Sequence, residues 1–269
     1  MINQDYRLDV TVYYKDIKNL ISTRDIGLFG YSTPVTQFVN EDYGSAKGVD
    51  VTVERIAHGN FSGRLTYSYM LAKGNSSSAY EGYYNYITDD VDTVMPVQEY
   101  PLAFDQRHTL TLHLDYRAPR DWKGRLFGLT IPGAWGLNLS GNYGSGLPYT
   151  ITDNVTGVRV GGINEARLPS KYTVDLRFNK DIYLGRSDDR FFSFFVEVDN
   201  LFNRRNVLDV YTNTGKPDDE GLRYDLTADP DGDGPYTAED VNRLYRLLAM
   251  DPTHYSAPRR FRVGLSLNF

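Results

Sequence analysis

The sequence predicts an all-β chain: about eight antiparallel strands of the transmembrane-barrel kind, with one short helix in the last long connection. Three observations predict it. Apolar and polar residues alternate with period two in segment after segment. Aromatic residues stand where these segments start or stop. The connections alternate between short and long.

The strands come in order. Tyr6, Leu8, Val10, Val12 and Tyr14 share one face, opposite Arg7, Asp9, Thr11 and Tyr13. Val49, Val51 and Val53 oppose Asp50, Thr52 and Glu54. After a tight turn at Ala57-His58-Gly59-Asn60, Phe61, Leu65, Tyr67, Tyr69 and Leu71 oppose Ser62, Arg64, Thr66 and Ser68. Leu110, Leu112, Leu114 and Tyr116 oppose Arg107, Thr109, Thr111, His113 and Asp115. Trp135, Leu137, Leu139 and Tyr143 form a fifth apolar row. Val174, Leu176 and Phe178 form a sixth, opposite Asp175 and Arg177. Phe192, Phe194, Val196 and Val198 form a seventh, opposite Glu197 and Asp199. The last is Phe261, Val263, Leu265, Leu267 and Phe269, opposite Arg260, Arg262, Ser266 and Asn268. Each is near the roughly 10 residues that cross a bilayer at a tilt. Short connections fall at 57–60 and 184–190, with a medium one near 118–133. Long ones fall at roughly 25–45, 74–104, 145–170 and 213–257.

Composition agrees. The chain has 22 Tyr and 13 Phe against 2 Trp, and Tyr suits strands and membrane interfaces. A mean hydropathy of −0.47 normally marks a soluble protein. In a barrel only every second strand residue meets lipid, so that inference fails. No apolar run reaches the roughly 18 residues of a membrane helix. With no Cys, disulfides, thiolate metal sites and Cys nucleophiles are excluded. The net charge is −6 and basic residues are scattered, so there is no footprint for nucleic acid. Met1 to Asp5 lead straight into a strand pattern, with no charged or apolar leader region. The expectation is therefore that Met1 begins a piece of a longer chain, or that the membrane location fails. Alternation alone also fits a soluble sandwich. Charged residues along the whole polar face and aromatics at the strand ends favour a barrel.

Four segments carry a family resemblance. Phe104-Asp105-Gln106-Arg107-His108-Thr109-Leu110 resembles the segment that opens a barrel strand in TonB-dependent receptors. Val196 to Asn203, ending Asn200-Leu201-Phe202-Asn203, resembles a strand near their C-terminus. Tyr43 to Asp50 resembles a glycine-rich strand start, with Asp50 where Glu is usual. Pro258 to Phe269 resembles the closing strand with its terminal Phe. Each motif is weak alone; their order and spacing together cover the whole chain. Side-chain amides of Asn200 and Asn203 suit bent backbone at a strand end, although both could serve as turn formers only.

The resemblance implies that residues 1–269 are the C-terminal portion of a receptor barrel in the outer membrane of a Gram-negative-type bacterium. Family barrels have about 22 strands and a plug domain with an energy-coupling box. Here the pattern supplies about eight strands, with no plug and no coupling box. A small self-closed barrel of that size would have its interior filled by side chains. A partial barrel, or one chain of a larger assembly, is the alternative. The implied function is a share in energised uptake of a nutrient, such as a metal chelate or an oligomer. The implied partners are outer-membrane lipid, a plug domain and TonB-type coupler in the full-length receptor, the barrel-assembly machinery through Phe269, and a transported ligand.

One local motif stands apart. Asp229, Asp231, Asp233, Gly234, Pro235, Thr237 and Asp240 fit positions 1, 3, 5, 6, 7, 9 and 12 of an EF-hand calcium loop. Closely spaced carboxylates on a turning backbone give Ca2+ its hard oxygen ligands. The competing reading is a solvated acidic turn, but the regular spacing favours calcium, bound as a structural ion. Val241, Leu244, Tyr245, Leu247 and Leu248 then recur at helical spacing, so 229–250 reads as a calcium loop plus helix inserted in an external connection. This motif supports a second function: a structural or binding barrel displaying a calcium-stiffened loop.

Catalysis is not expected. His108 and His113 lie five apart on one strand and face opposite sides, which is poor for a shared metal. His113 beside Thr111 and Asp115 reads as polar lumen wall rather than a hydrolytic site. Arg64, Arg107, Arg177, Arg260 and Arg262 are matched by Asp9, Asp50, Glu54, Asp115, Asp175 and Glu197, which predicts a mixed lumen network.

Overall fold

Alternating side chains and short turns build a single antiparallel meander. The computed structural model describes residues 5–26, 35–81, 98–126, 129–153, 156–185, 190–221 and 238–268. Eight long strands cross it: β1 (Tyr6–Ile26), β2 (Val35–His58), β3 (Phe61–Gly74), β5 (His108–Ala118), β8 (Trp135–Gly144), β11 (Lys171–Tyr183), β12 (Phe191–Asp199) and β13 (Arg260–Asn268). They are hydrogen-bonded in that order. Short pieces decorate the connections: β4 (Tyr100–Pro101), β6 (Lys123–Leu126), β7 (Leu129–Pro132), β9 (Pro148–Tyr149) and β10 (Ala166–Arg167). Helix α1 (Ala238–Ala249) falls in the last connection, where the sequence predicts it. Among the described residues β1 and β13 pair on one side only, so the sheet is an open arc.

The register preserves the faces read from the sequence. Val10 meets Val51, Val51 meets Tyr67, Tyr67 meets Leu110, and Leu110 meets Tyr143. The next row is Asp9, Thr52, Thr66, Thr111 and Asn142. A one-residue slip would exchange these faces, so the pattern fixes the pairing. The apolar face is bare: Val12 is 74% exposed and Leu265 67%. A sandwich would cover that face with a second sheet; the two smaller sheets are hairpins of two strands each. The arc therefore turns its apolar face outward, as a membrane wall does.

Two expectations needed correction. The connection expected at roughly 25–45 is mostly strand, because β1 continues to Ile26 and β2 begins at Val35. Period two fades there because no lipid demands an apolar face on that part of the hairpin. Asn19, at φ 60°, sits in the register shift between Ile17 and Leu20. The medium connection near 118–133 holds the β6–β7 hairpin.

Little is buried in the usual sense. Among the described residues the buried apolar cluster is Ala46, Ala72 and Leu102. Leu102 lies over a flat patch: a methyl group built on Gly44 or Gly74 would come within 3.3 or 3.0 Å of it. At Gly48 a Cβ would stand 2.5 Å from the Tyr13 hydroxyl, so only glycine admits that ring.

Candidate functional site: the polar wall and its outer mouth

The inward face carries the chemistry. Arg64 pairs with Glu54 at 2.6 Å, and Arg177 with Glu197 at 2.9 Å. Arg262 reaches Glu197 at 3.2 Å and Asp199 at 3.6 Å, while Arg260 reaches Asp199 at 3.4 Å. Arg117 pairs with Asp115 at 2.9 Å. Most are cross-strand neighbours, so the register that alternates the faces also pairs the charges. The mixed network expected from the sequence is present. Nearer the long connections the face changes to hydroxyls and amides: Thr52 meets Thr66 at 3.2 Å, in the row with Thr111 and Asn142. A cavity of about 330 Å3 opens there, lined by Gln106, Thr109, Thr111, Asn142, Lys171 and Thr173 among others.

The bases of the long connections are tied by buried polar clamps. Asp105 is 1% exposed. Its Oδ1 accepts the Ala72 N–H at 2.8 Å, and its Oδ2 accepts from Arg107 Nε at 3.3 Å and from Arg167 Nη2. Arg167 Nη1 also donates to the Asp105 carbonyl at 2.7 Å and the Gly146 carbonyl at 3.1 Å. One carboxylate thus joins the end of β3, the start of β5 and the hairpin β9–β10. Gln106 Nε2 adds a bond to the Ser145 carbonyl at 2.9 Å.

The second clamp uses asparagines. Asn200 and Asn203 adopt φ of 56° and 51°, a left-handed conformation that asparagine tolerates. Asn200 Nδ2 donates to the carbonyls of Arg204 at 2.9 Å and Ala257 at 3.2 Å, and its Oδ1 accepts the Arg204 N–H at 2.9 Å. Asn203 Oδ1 accepts the Arg259 N–H at 3.0 Å. These residues form the turn and also satisfy its backbone. Sequence reasoning missed Asn206, whose amide accepts from the Tyr172 N–H at 2.9 Å and donates to the Tyr172 carbonyl at 2.8 Å. It stands in for a strand partner. No periodic signal marks it, nor Arg167.

The histidines sit as read. His108 faces outward, stacked on Tyr67 with Nδ1 at 2.9 Å from its hydroxyl. His113 faces inward beside Arg64 and Ser140. Of the calcium-loop positions, Asp229, Asp231, Asp233, Pro235 and Thr237 lie outside the described residues, as does Phe269. Asp240 is exposed in the first turn of α1. In the same connection the Thr253 hydroxyl and N–H hold the Asp251 carboxyl below its ordinary range.

The aromatic ends convert register into geometry. Tyr6 and Tyr14, Phe61 and Tyr69, His108 and Tyr116, and Trp135 and Tyr143 each bracket the same length of strand. That length is about 26 Å. Tyr14 is level with Lys47, which pairs with Leu71, two residues beyond Tyr69. His108 is level with Tyr69, and Leu110 with Tyr143. Tyr143 is level with Tyr172, while Phe261 is level, through Val198, with Leu176. Interfacial aromatics lie at one depth. The belt therefore steps in one direction along the arc, and its overall slope sets the strand tilt at roughly 40°, that of a closing barrel.

A family model described as "TonB dependent receptor-like, beta-barrel" matches residues 3–201. The chain belongs to the TonB-dependent receptor β-barrel family. A solved structure shares the fold. The outer membrane transporter YddB from Escherichia coli is 13% identical with a TM-score of 0.59, covering 100% of this chain and 31% of that one. The ferric-catecholate import receptor Fiu from E. coli is 13% identical with a TM-score of 0.49, covering 100% of this chain and 26% of that one. No curated protein sequence matches. The chain thus spans about a third or less of these receptors' length. Its location, that of its family, is the outer membrane.

Proposed function

We propose that this chain is an arc of the wall of an energised outer-membrane importer, and that the substrate passes along its polar inner face. The observation that carries this reading is the inward face itself. Each of its cross-strand arginines is matched by an acid, and the mouth of the arc is lined by hydroxyls and amides. Such a surface stays wet and holds no ion tightly. A nutrient such as a metal chelate or an oligomer fits it, together with a plug domain and a TonB-type coupler supplied by the rest of the receptor. Assembly is assigned to the barrel machinery through Phe269. The test is uptake by cells carrying the whole gene, with the coupler intact or deleted. Coupler-dependent accumulation of a chelate or oligomer is expected; uptake that survives deletion of the coupler would sink the reading.

A second reading adds a calcium-stiffened surface loop. Its support is the spacing of Asp229, Asp231, Asp233 and Asp240, together with a helix that begins at Ala238, where such a loop hands over to one. Calcium is expected to protect 229–240 from protease in the intact receptor, and Asp231→Asn with Asp233→Asn to abolish the protection. Equal cleavage with and without calcium would discard the ion.

A further inference from the structure

The end of the wall opposite the long connections carries one element that a bare turn would not need. There β2 and β3 are joined through Gly59 and Asn60, and β11 and β12 through 184–190, but β5 and β8 through the hairpin β6–β7. That hairpin has two unlike faces. Lys123 pairs with Pro132, Gly124 with Ile131 and Arg125 with Thr130. Opposed residues share a face and successive ones alternate. Lys123, Arg125, Thr130 and Pro132 therefore lie on one side, all exposed, and Gly124 and the half-exposed Ile131 on the other. Trp122 covers that second side, since a Cβ at Gly124 would run into its ring. The apolar side continues the outward rows of the wall. Trp122 meets Trp135 edge to face at 5.5 Å, and Trp135 lies 5.1 Å from Tyr116 and 6.3 Å from Phe178. The two tryptophans of the chain thus stand together at this rim. The base of the hairpin is fixed: the Pro119 carbonyl accepts the N–H groups of Trp122 at 3.1 Å and Ala134 at 3.0 Å, and Arg120 Nη2 donates to the Gly185 carbonyl at 2.8 Å.

In barrels of this kind the short connections face the periplasm. We propose that β6–β7 is a membrane-surface anchor, lying in the periplasmic interface of the outer membrane with Trp122, Gly124 and Ile131 against lipid and Lys123, Arg125 and Thr130 toward water. Lipid is the occupant because the apolar side runs on, ring against ring, from rows that already meet lipid. Tryptophan is also a residue that gathers at that boundary. The backbone sets the depth. Among the described residues β6 and β7 pair only with each other, and their outer edges carry N–H and C=O groups that hydrocarbon does not tolerate. The hairpin therefore stays at the interface, where water reaches those edges. Apolar contact holds it rather than headgroup charge, since the basic side chains stand on the opposite side. The anchor rests on the outward assignment of the apolar rows and is independent of the transported substrate.

The sample is the whole receptor carrying this arc, in nanodiscs of zwitterionic phospholipid. Nitroxide labels are placed singly through Ile131→Cys, Thr130→Cys and, as a control in the middle of the outward face, Val51→Cys; this chain has no cysteine of its own. Electron paramagnetic resonance would read their collisions with oxygen, which concentrates in lipid, and with a water-soluble nickel chelate. The label at 131 is expected to favour oxygen and the label at 130 the chelate. Adding Trp122→Ala is expected to move the label at 131 toward the chelate. Equal contact with the chelate at 130 and 131, with the control label in lipid, would overturn the anchor by placing the hairpin in water. A label at 131 shielded from both probes would overturn it by showing a protein cover. Oxygen contact that appears only in anionic nanodiscs would overturn it by showing attraction through charge. A control label open to the chelate would instead strike the outward assignment itself, on which the reading of the wall also depends. Positions 130 and 131 are exposed and half-exposed, so assembly is expected to survive, and their comparison decides the matter even if Trp122→Ala fails to assemble.

Discussion

The middle of the wall and the bases of its long connections are held in opposite ways. In the middle, side chains are half-exposed on both faces, and the backbone ladder with cross-strand pairs does the holding. At the bases, polar side chains are buried as deeply as apolar ones: Asp105, Asn206, Asp42, Ser22 and Thr23 beside Ala72 and Leu102. A membrane wall has lipid on one side and water on the other, so it needs no dry core. The connections above it stand in water without a lipid boundary to order them, and are tied by specific bonds. The middle should therefore tolerate inward changes and resist outward charge, whereas the bases should be sensitive to single polar deletions.

The sharpest break of that contrast is Asp105→Ala. It strands two arginines near a carboxylate site and frees the Ala72 N–H, at an expected cost of about 3–5 kcal/mol. Urea unfolding of the whole receptor would measure it; a change below about 1 kcal/mol would show that the clamp is ornamental. In the middle, Val51→Arg is expected to cost about 2–4 kcal/mol in a bilayer, and its inward neighbour Thr52→Arg close to nothing. Equal costs would mean that the faces are wrongly assigned. Asn206→Ala should cost about 1–3 kcal/mol, because both backbone groups of Tyr172 lose their partner. Faster hydrogen exchange at Tyr172 alone would report it. The smallest effect is one of pH. Thr253 holds the Asp251 carboxyl below its ordinary value, so the turn Pro252–His254 gains stability above pH 3.8 and loses it as pH falls through the depressed value. Exchange of the Thr253 amide should rise only on that acid side; protection unchanged there would remove the bond from the account.

Much of this was legible in the chain itself. Eight strands, their faces and the helix at 238–249 follow from local periodicity, which lipid and water impose residue by residue. The equal spacing of aromatic ends was also in the sequence, and becomes a tilt only once the register is known. The Phe104–Leu110 segment resembled the family before it had a physical reason; Asp105 supplies one.

The sequence by itself determined which residues face lipid and which face the lumen, because that choice repeats every second residue and needs no distant partner. Only the tertiary structure decided the length of the β1–β2 hairpin, the Asp105–Arg167 clamp across 62 residues and the role of Asn206. Those contacts join segments remote in the chain, where no periodic solvent boundary acts, so nothing local could announce them.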